Sequence, residues 1–348
     1  MPILPTLTER VLLFRFNQAP GLMLDFLGAE AFRALSVAVK LGVFEALSGS
    51  SLAADQTARR IKASETGTVL LLEALTALGY VKEKDGRYSN TRMTAKWLLR
   101  GSKTSLACGI PFFESMVFDR WSRLEESIRR GQPAMSGSAW LEQRPDGWRI
   151  YQEGMIAIAR MTAKEIVAKV PLPRGARRLL DVGGGHSLYS IEFRRHSELS
   201  CTVFDLPQAL EVAKETIASE GIGDRVVAQP GDFWVNEFGT GHDVALLFNI
   251  IHAFSPARNI ELLQKVARAL TPGGLVVIND QLARRTHGAM AKALVRLQAL
   301  NYFNDLGARA YGVDEVRGWL IKAGFGEPRQ IRLRRTPGFV LMLSRRAG

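Results

Sequence analysis

The stretch Leu179-Leu180-Asp181-Val182-Gly183-Gly184-Gly185-His186-Ser187 constrains this chain more than any other. Apolar residues lead into an acid, three glycines follow in a row, and Tyr189 to Phe193 open a helical pattern. That order predicts a buried strand, a tight turn and a helix. Glycine at such a turn reaches positive φ without strain and leaves no Cβ in the way of a ligand. A nucleoside cofactor is the ligand class the arrangement suits.

The pattern around this stretch predicts an α/β unit. From about Val167, strands are expected at 178–182, 201–205, 225–228, 243–248, 275–280, 328–333 and 338–344, with helices between the first six. A short connection around Thr336-Pro337-Gly338 joins the last two as a hairpin. The result is a doubly wound, mostly parallel sheet with one antiparallel strand near an edge.

The preceding residues read differently. Residues 21 to 47 are helical and strongly apolar (Leu22, Phe26, Phe32, Leu35, Val39, Val43, Phe44, Leu47), which fits either a core helix or one shared with a second copy. Ser48 to Ser51 break the pattern. Leu52 to Ile61 is a short helix, Ser64 caps a second that runs to about Leu78, and Gly79 ends it. Tyr80 to Ser89 form a hairpin around Asp85-Gly86. Helices followed by a hairpin predict a winged helix. A DNA-reading helix needs polar side chains that reach base edges, and this one carries Val69, Leu70, Leu71, Leu72, Leu75 and Leu78. Its face suits protein contact instead, so no nucleic acid is expected. Residues 106 to 164 are helical and rich in aromatic residues and methionine, with a loop over Gly131 to Ser138. Core packing accounts for most of them, and an adaptable pocket for a flat ligand is the other use of such a surface.

The cofactor is narrowed by what is missing. Gly183 and Gly185 fit the first two positions of a G-x-G-x-x-G dinucleotide fingerprint, but Leu188 stands at the third, and no phosphate loop of the Walker type is present. Asp205 ends the second strand, twenty-four residues after Asp181. A carboxylate there can accept from both ribose hydroxyls. Asp232 and Phe233 follow the third strand and could meet adenine by hydrogen bond and ring packing. These features suit S-adenosylmethionine, an adenosyl cofactor without phosphate.

At this point DVGGGHS, FDLP from Phe204, PGDFW from Pro230, NIIHAFSP from Asn249, LTPGGLVVIND from Leu270 and KAGF from Lys322 fall in order and at matching intervals. Together they resemble the S-adenosylmethionine-dependent small-molecule O-methyltransferases, the group of plant caffeate-type and bacterial secondary-metabolite enzymes. The resemblance covers nearly the whole chain. It implies a Rossmann-like class I methyltransferase sheet, with a winged-helix dimerisation domain at 1–105, a helical linker at 106–164 that adds to the acceptor pocket, and a catalytic domain at 165–348. It implies a homodimer that methylates a hydroxyl of a small, aromatic metabolite and releases S-adenosylhomocysteine. It places cofactor contacts at Asp181, Gly183, Gly185, Asp205, Leu206, Asp232, Phe233 and Asn249, with Ser187 at the usual third glycine and Phe248 where plant members carry a lysine. His252 falls on the general base and Asp280 on one of two carboxylates that bracket it. The other falls on Arg309 or Ala310, neither of them an acid. Met155, Asn301, Asp305, Phe112, Met116 and the neighbouring Phe113 fall on or near acceptor-pocket positions. No metal is expected. A carbon or nitrogen acceptor, or non-methylating chemistry on the same fold, is the alternative, and a winged-helix regulator that senses an adenosyl ligand is a third reading.

Bulk properties agree with an intracellular enzyme. Hydrophobic residues are 47% of 348, enough for two cores and too many for a disordered chain. No apolar run reaches the length of a membrane span, and Met1 to Phe16 lacks the apolar core of a signal peptide. The two cysteines, Cys108 and Cys201, point to no disulfide framework, so the cytoplasm is expected. The net charge of +12 is spread along the chain, densest at Arg329, Arg332, Arg334, Arg335, Arg345 and Arg346, and reads as a solvated basic face.

Overall fold

The computed structural model describes residues 5–16, 18, 21–283, 288–334, 336 and 338–348. The chain divides into two compact units, Met1–Ser115 and Met116–Gly348.

In the first unit the helix Met23–Leu41 stops at Gly42, which takes φ 76° in the left-handed region, and a short helix Val43–Ala46 follows. The single helix expected over 21–47 is therefore broken, because the αL cap diverts the chain. Ala54–Ile61 and Glu65–Ala77 are the next helices, the latter started by Ser64, whose Oγ accepts from Gly67 N. Strands β1 (Val81–Lys84) and β2 (Arg87–Asn90) pair antiparallel. Asp85 and Gly86 between them have φ 52° and 71°, the signature of a type I′ turn. Leu35, Val43, Phe44, Leu72, Leu75 and Val81 form the core of the unit. Beside it, Glu114 accepts from Arg33, Ser36 and Lys40 of the first helix.

In the second unit seven strands form one sheet in the order β5-β4-β3-β6-β7-β9-β8. They are β3 (Arg178–Val182), β4 (Ser200–Asp205), β5 (Val226–Pro230), β6 (His242–Phe248), β7 (Leu270–Gln281), β8 (Arg329–Arg332) and β9 (Phe339–Arg345). Pairing is parallel except around β9, which runs antiparallel to both β7 and β8. Pro337 and Arg335 lie outside the described residues, so the expected turn before β9 is described only at Thr336 and Gly338. Apolar runs such as Leu179-Leu180 are continuous because helices cover both faces and successive side chains point opposite ways. Leu180, Val182 and Ile278 face the helices Pro256–Ala269 and Val313–Lys322, with Leu262, Val266 and Trp319. Leu179, Val203 and Val277 face the other side, with Ala163 and Ile166 of the long helix Gly147–Lys169 and Phe193 of the helix Leu188–Arg195. That long helix runs unbroken through 164/165, so the boundary expected there falls within one element.

One expected helix is absent. Residues 231–241, between β5 and β6, hold only a turn. Pro230, Gly231, Gly239 and Gly241 disfavour a helix, and Gly239 and Gly241 take positive φ of 73° and 81°. The short crossover leaves Asp232 and Phe233 at the carboxyl edge of the sheet. The stretch Thr271 to Gly274 belongs to β7, which starts at Leu270 opposite His242 through a register shift, several residues before the expected 275. The loop expected over Gly131 to Ser138 ends at Ser136, which caps a helix Gly137–Glu142. Among the described residues no helix is long and apolar enough to cross a membrane.

Candidate active site

The parallel strands all end on one edge, and the motif residues fall there. The turn after β3 begins with Gly183, whose N donates to Phe204 O at 2.8 Å. Gly183 has φ 67° and Gly185 φ 27°. A Cβ at Gly183 would strike Ile250, one at Gly184 the Asp181 carboxyl, and one at Gly185 the Gln152 amide. The glycines are thus demanded first by packing inside the protein, with the ligand path following from the backbone they bend. Ser187 adopts φ 63°, a left-handed conformation that glycine takes without strain, and its Oγ donates to His186 O at 2.6 Å. The buried His186 caps the next helix, its Nδ1 accepting from Leu188 N at 3.1 Å. Burial pushes its pKa down to about 4, which keeps that nitrogen an acceptor at neutral pH.

Asp181 is buried on β3, and Ser190 Oγ donates to its Oδ2 at 2.8 Å. Burial, with a smaller contribution from nearby Asp205, pushes its pKa up to about 7. Asp205 Oδ2 accepts from Gly185 N at 2.9 Å and Oδ1 from Leu206 N at 2.7 Å. Burial raises it to about 6, against those two hydrogen bonds, so it is mostly ionised at neutral pH. A carboxylate has about four acceptor sites, which leaves capacity for two more donors. Asp232 Oδ1 accepts from Trp234 N at 2.8 Å, and the Phe233 ring meets Trp234 and Phe254 edge to face at 5.0 and 5.7 Å. Asn249 sits after β6 at φ 59°, with its N donating to Asn279 O at 2.9 Å.

His252 follows on a 3₁₀ turn, Ile251–Ala253. Its Nδ1 lies 2.8 Å from Asp280 Oδ1, and its backbone N lies 3.3 Å from Oδ2. The Asp280 side chain is fully buried at the end of β7, and Oδ1 also accepts from Gln281 N at 2.7 Å. A carboxylate oxygen at this distance accepts from a protonated Nδ1, the tautomer that leaves the Nε2 lone pair open. Tyr302, from the helix Ala289–Leu306, stacks on the imidazole with centroids 4.0 Å apart and planes 10° apart. The Arg309 guanidinium, at one place expected for a second carboxylate, is exposed and paired with Glu315 at 2.6 Å.

Of the expected acceptor positions, Met155 is half-buried on the long helix. Asn301 Oδ1 accepts from Trp121 Nε1 at 2.8 Å, and Asp305 Oδ2 pairs with Arg120 at 2.5 Å, so both are engaged within the protein. Burial raises the pKa of Asp305 against the pull of Arg120. Phe112 and Phe113 belong to the first unit, where their rings meet edge to face at 5.5 Å, and Met116 opens the second. Sequence reasoning passes over Gln152 and Tyr302 and takes Tyr151 only as one of the aromatic residues of 106–164. Tyr151 lies one helical turn before Met155, and that spacing is the signal that could find it. Burial, with the charges of Asp205 and Asp280 adding to it, pushes Tyr151 up to about 12, and nearby Arg120 opposes. Among the described residues no group of His, Cys, Asp or Glu is gathered to hold a metal ion.

Comparison with known proteins gives the family. Residues 121–326 match the O-methyltransferase domain family and residues 26–101 the O-methyltransferase dimerisation domain. The chain is 32% identical over 321 residues to a 3-hydroxy-5-methyl-1-naphthoate 3-O-methyltransferase of Streptomyces sahachiroi, covering 90% of this chain and 91% of that one. It is 26% identical to an L-tyrosine C(3)-methyltransferase of Streptomyces lavendulae, covering 88% and 86%. Human N-acetylserotonin methyltransferase, solved in complex with SAM, shares the fold at a TM-score of 0.82 and 19% identity, with full coverage of both chains. With the domain matches spanning more than half its length, the chain belongs to the O-methyltransferase family and is a methyltransferase enzyme that carries the family's dimerisation domain.

Proposed function

We propose that this enzyme moves a methyl group from S-adenosylmethionine to a hydroxyl of a small aromatic acceptor, with His252 as general base. The observation that carries this reading is the His252–Asp280 pair, in which Asp280 Oδ1 lies 2.8 Å from Nδ1 and leaves Nε2 as the nitrogen to take a proton. The residues there fit the cofactor. Asp205 has spare acceptor capacity for ribose hydroxyls, Asp232 and Phe233 offer a carboxylate and a ring for adenine, and the turn Gly183–Gly185 brings backbone close without side chains. Asp181, Leu206 and Asn249 shape the same edge. The cofactor supplies a methyl group on a cationic sulfur, which leaves as a neutral thioether, and no metal is called for.

The protein's share is positioning and proton removal. Nε2 takes the phenolic proton as the acceptor oxygen attacks, and Asp280 stabilises the imidazolium that results. Met155 and Tyr151 stand on the acceptor side of the long helix. In the dimerisation domain Leu22, Phe26 and Leu70 are 68%, 52% and 62% exposed, an apolar surface that a homodimer would cover. We place the enzyme in the cytoplasm, the compartment that fits a chain with only two cysteines far apart in sequence.

The test is incubation with methyl-labelled S-adenosylmethionine and a panel of hydroxynaphthoates and catechols. Label should enter an ether, and His252→Gln should reduce the rate by roughly a hundredfold, within the range for removal of a general base. Full activity of that variant across pH would remove His252 from the chemistry. A carbon acceptor is the second reading, favoured by the C-methylating relative and by Arg309 standing where a second acid is expected. A label on ring carbon in the product would establish it.

A further inference from the structure

The His252 imidazole is held at one edge by Asp280 from β7 and on one face by Tyr302 from the helix Ala289–Leu306. The stack is nearly parallel, at 10° and 4.0 Å. A parallel contact at this separation puts the phenol face within cation–π range of the imidazole. A cation over an electron-rich face is attracted to it. The arrangement therefore suits imidazolium better than imidazole. Arg309 is turned to solvent and paired with Glu315, so it does not fill the place of a second acid.

We propose that Tyr302 is a positioning residue that holds the His252 ring in its plane and supports its protonated form through the face of the phenol. This rests on the general-base reading of His252 and goes one step past it. The Tyr302 ring is buried, and its hydroxyl is hydrogen-bonded to the Gln298 side chain one turn back on the helix. Burial, with Asp280 and Tyr151 adding to it, raises its own pKa well above the usual value, so it stays a neutral phenol and does not compete for the proton. Among the described residues Asp280 on β7 meets the imidazole directly, and Tyr151 on the long helix interacts with Tyr302 and Asp280. Asp305, one turn past Tyr302, is paired with Arg120. The ring face is the contact that distinguishes Tyr302 from them.

The experiment uses Tyr302→Phe, which keeps the face and loses the hydroxyl, against Tyr302→Met and Tyr302→Leu, which remove the face. One readout is the pH profile of methyl transfer to whichever phenol of the panel is turned over. A second, independent of acceptor, is the ¹⁵N imidazole titration of His252, assigned by loss of its signal in His252→Gln. The chain has only five histidines to resolve. Removing the face should move the titration about one unit to lower pH and lower kcat about tenfold, the scale of a desolvated cation–π contact. Tyr302→Phe should stay within about twofold of the parent in both, since phenylalanine keeps the cation-binding face. Two non-aromatic variants guard against one that fails to fold. A titration unmoved in a folded Met or Leu variant overturns the proposal, as does a Phe variant that falls as far as they do. If His252→Gln is fully active, the general-base reading fails instead. If it is inactive while the Tyr302 variants match the parent, only the role of Tyr302 fails.

Discussion

Replacing Asp280 by asparagine isolates the charge in the histidine pair. Two donors converge on Asp280 Oδ1, His252 Nδ1 at 2.8 Å and Gln281 N at 2.7 Å, while Oδ2 meets only His252 N at 3.3 Å. In Asp280→Asn the amide oxygen would take the Oδ1 place, because the reverse orientation sets NH₂ against two close donors instead of one distant one. The tautomer with Nε2 unprotonated survives, and what is lost is the negative charge beside the imidazolium. A hydrogen bond to a charged group contributes about 1.5–3 kcal/mol, against about 1 for a neutral one. The difference, up to about 2 kcal/mol, lowers kcat by up to roughly thirtyfold. Asp280 is not among the proposed cofactor contacts, so affinity for S-adenosylhomocysteine should stay close to the parent's. The assay is label transfer at saturating cofactor and acceptor from about pH 5.5 to 9.5, a span that brackets the ordinary histidine range. Calorimetric S-adenosylhomocysteine binding is the control. A kcat equal to the parent's throughout that range would refute the account of how His252 is oriented and charged.

Other outcomes can be checked on the same protein. Burial raises Asp181 to about 7, from an unfolded value of about 4. The folded state therefore binds the proton more tightly and loses stability as pH rises through that window. Asp181→Asn, which still accepts from Ser190, should gain on the parent by about 2 kcal/mol between about pH 5.5 and 8, and a constant difference in urea unfolding would contradict the buried-acid account. Asp205→Ala should weaken S-adenosylhomocysteine binding roughly tenfold, the scale of a lost hydrogen bond to a charged group, and an unchanged Kd would take the ribose away from Asp205. Gly183→Ala meets a left-handed φ and Ile250 at once, for a loss of about 2–4 kcal/mol in stability; a thermal midpoint equal to the parent's would show that the turn gives way. Leu22→Asp with Phe26→Asp should shift the protein toward monomer in light scattering, and an intact dimer would place the interface elsewhere.

The strands can be read from sequence to within a few residues because a sheet covered on both faces writes itself as unbroken apolar runs such as Val244 to Phe248. The glycine turn and the acids at strand ends are legible for a related reason: the carboxyl edge of a parallel sheet gathers whatever follows each strand. Residues delivered by helices are harder. Tyr302 and Gln152 sit in helical patterns that a core helix would also produce, and nothing local marks which face meets His252 or Gly185. The engagement of Asn301 with Trp121 and of Asp305 with Arg120 spans about 180 residues of chain and leaves no local trace. The missing helix between β5 and β6 is foreshadowed by Gly231, Gly239 and Gly241, a signal that the alternating α/β rhythm outweighs.

The helix Gly147–Lys169 extends about 35 Å as a single rod. Its later turns are fixed in the core beside the sheet through Ala163 and Ile166, and by Thr162 bonded to Tyr189 at 2.8 Å. Its early turns carry Tyr151, Gln152 and Met155 together, with Gln152 against the glycine turn. A rod that is clamped at one end passes any tilt to all three at once. Under the proposed roles of Met155 and Gly185, a change in acceptor preference gained at position 155 would carry over to cofactor affinity. Evolution on this scaffold is steered toward swaps that conserve side-chain volume along that helix, with bolder changes left to the elements that face it.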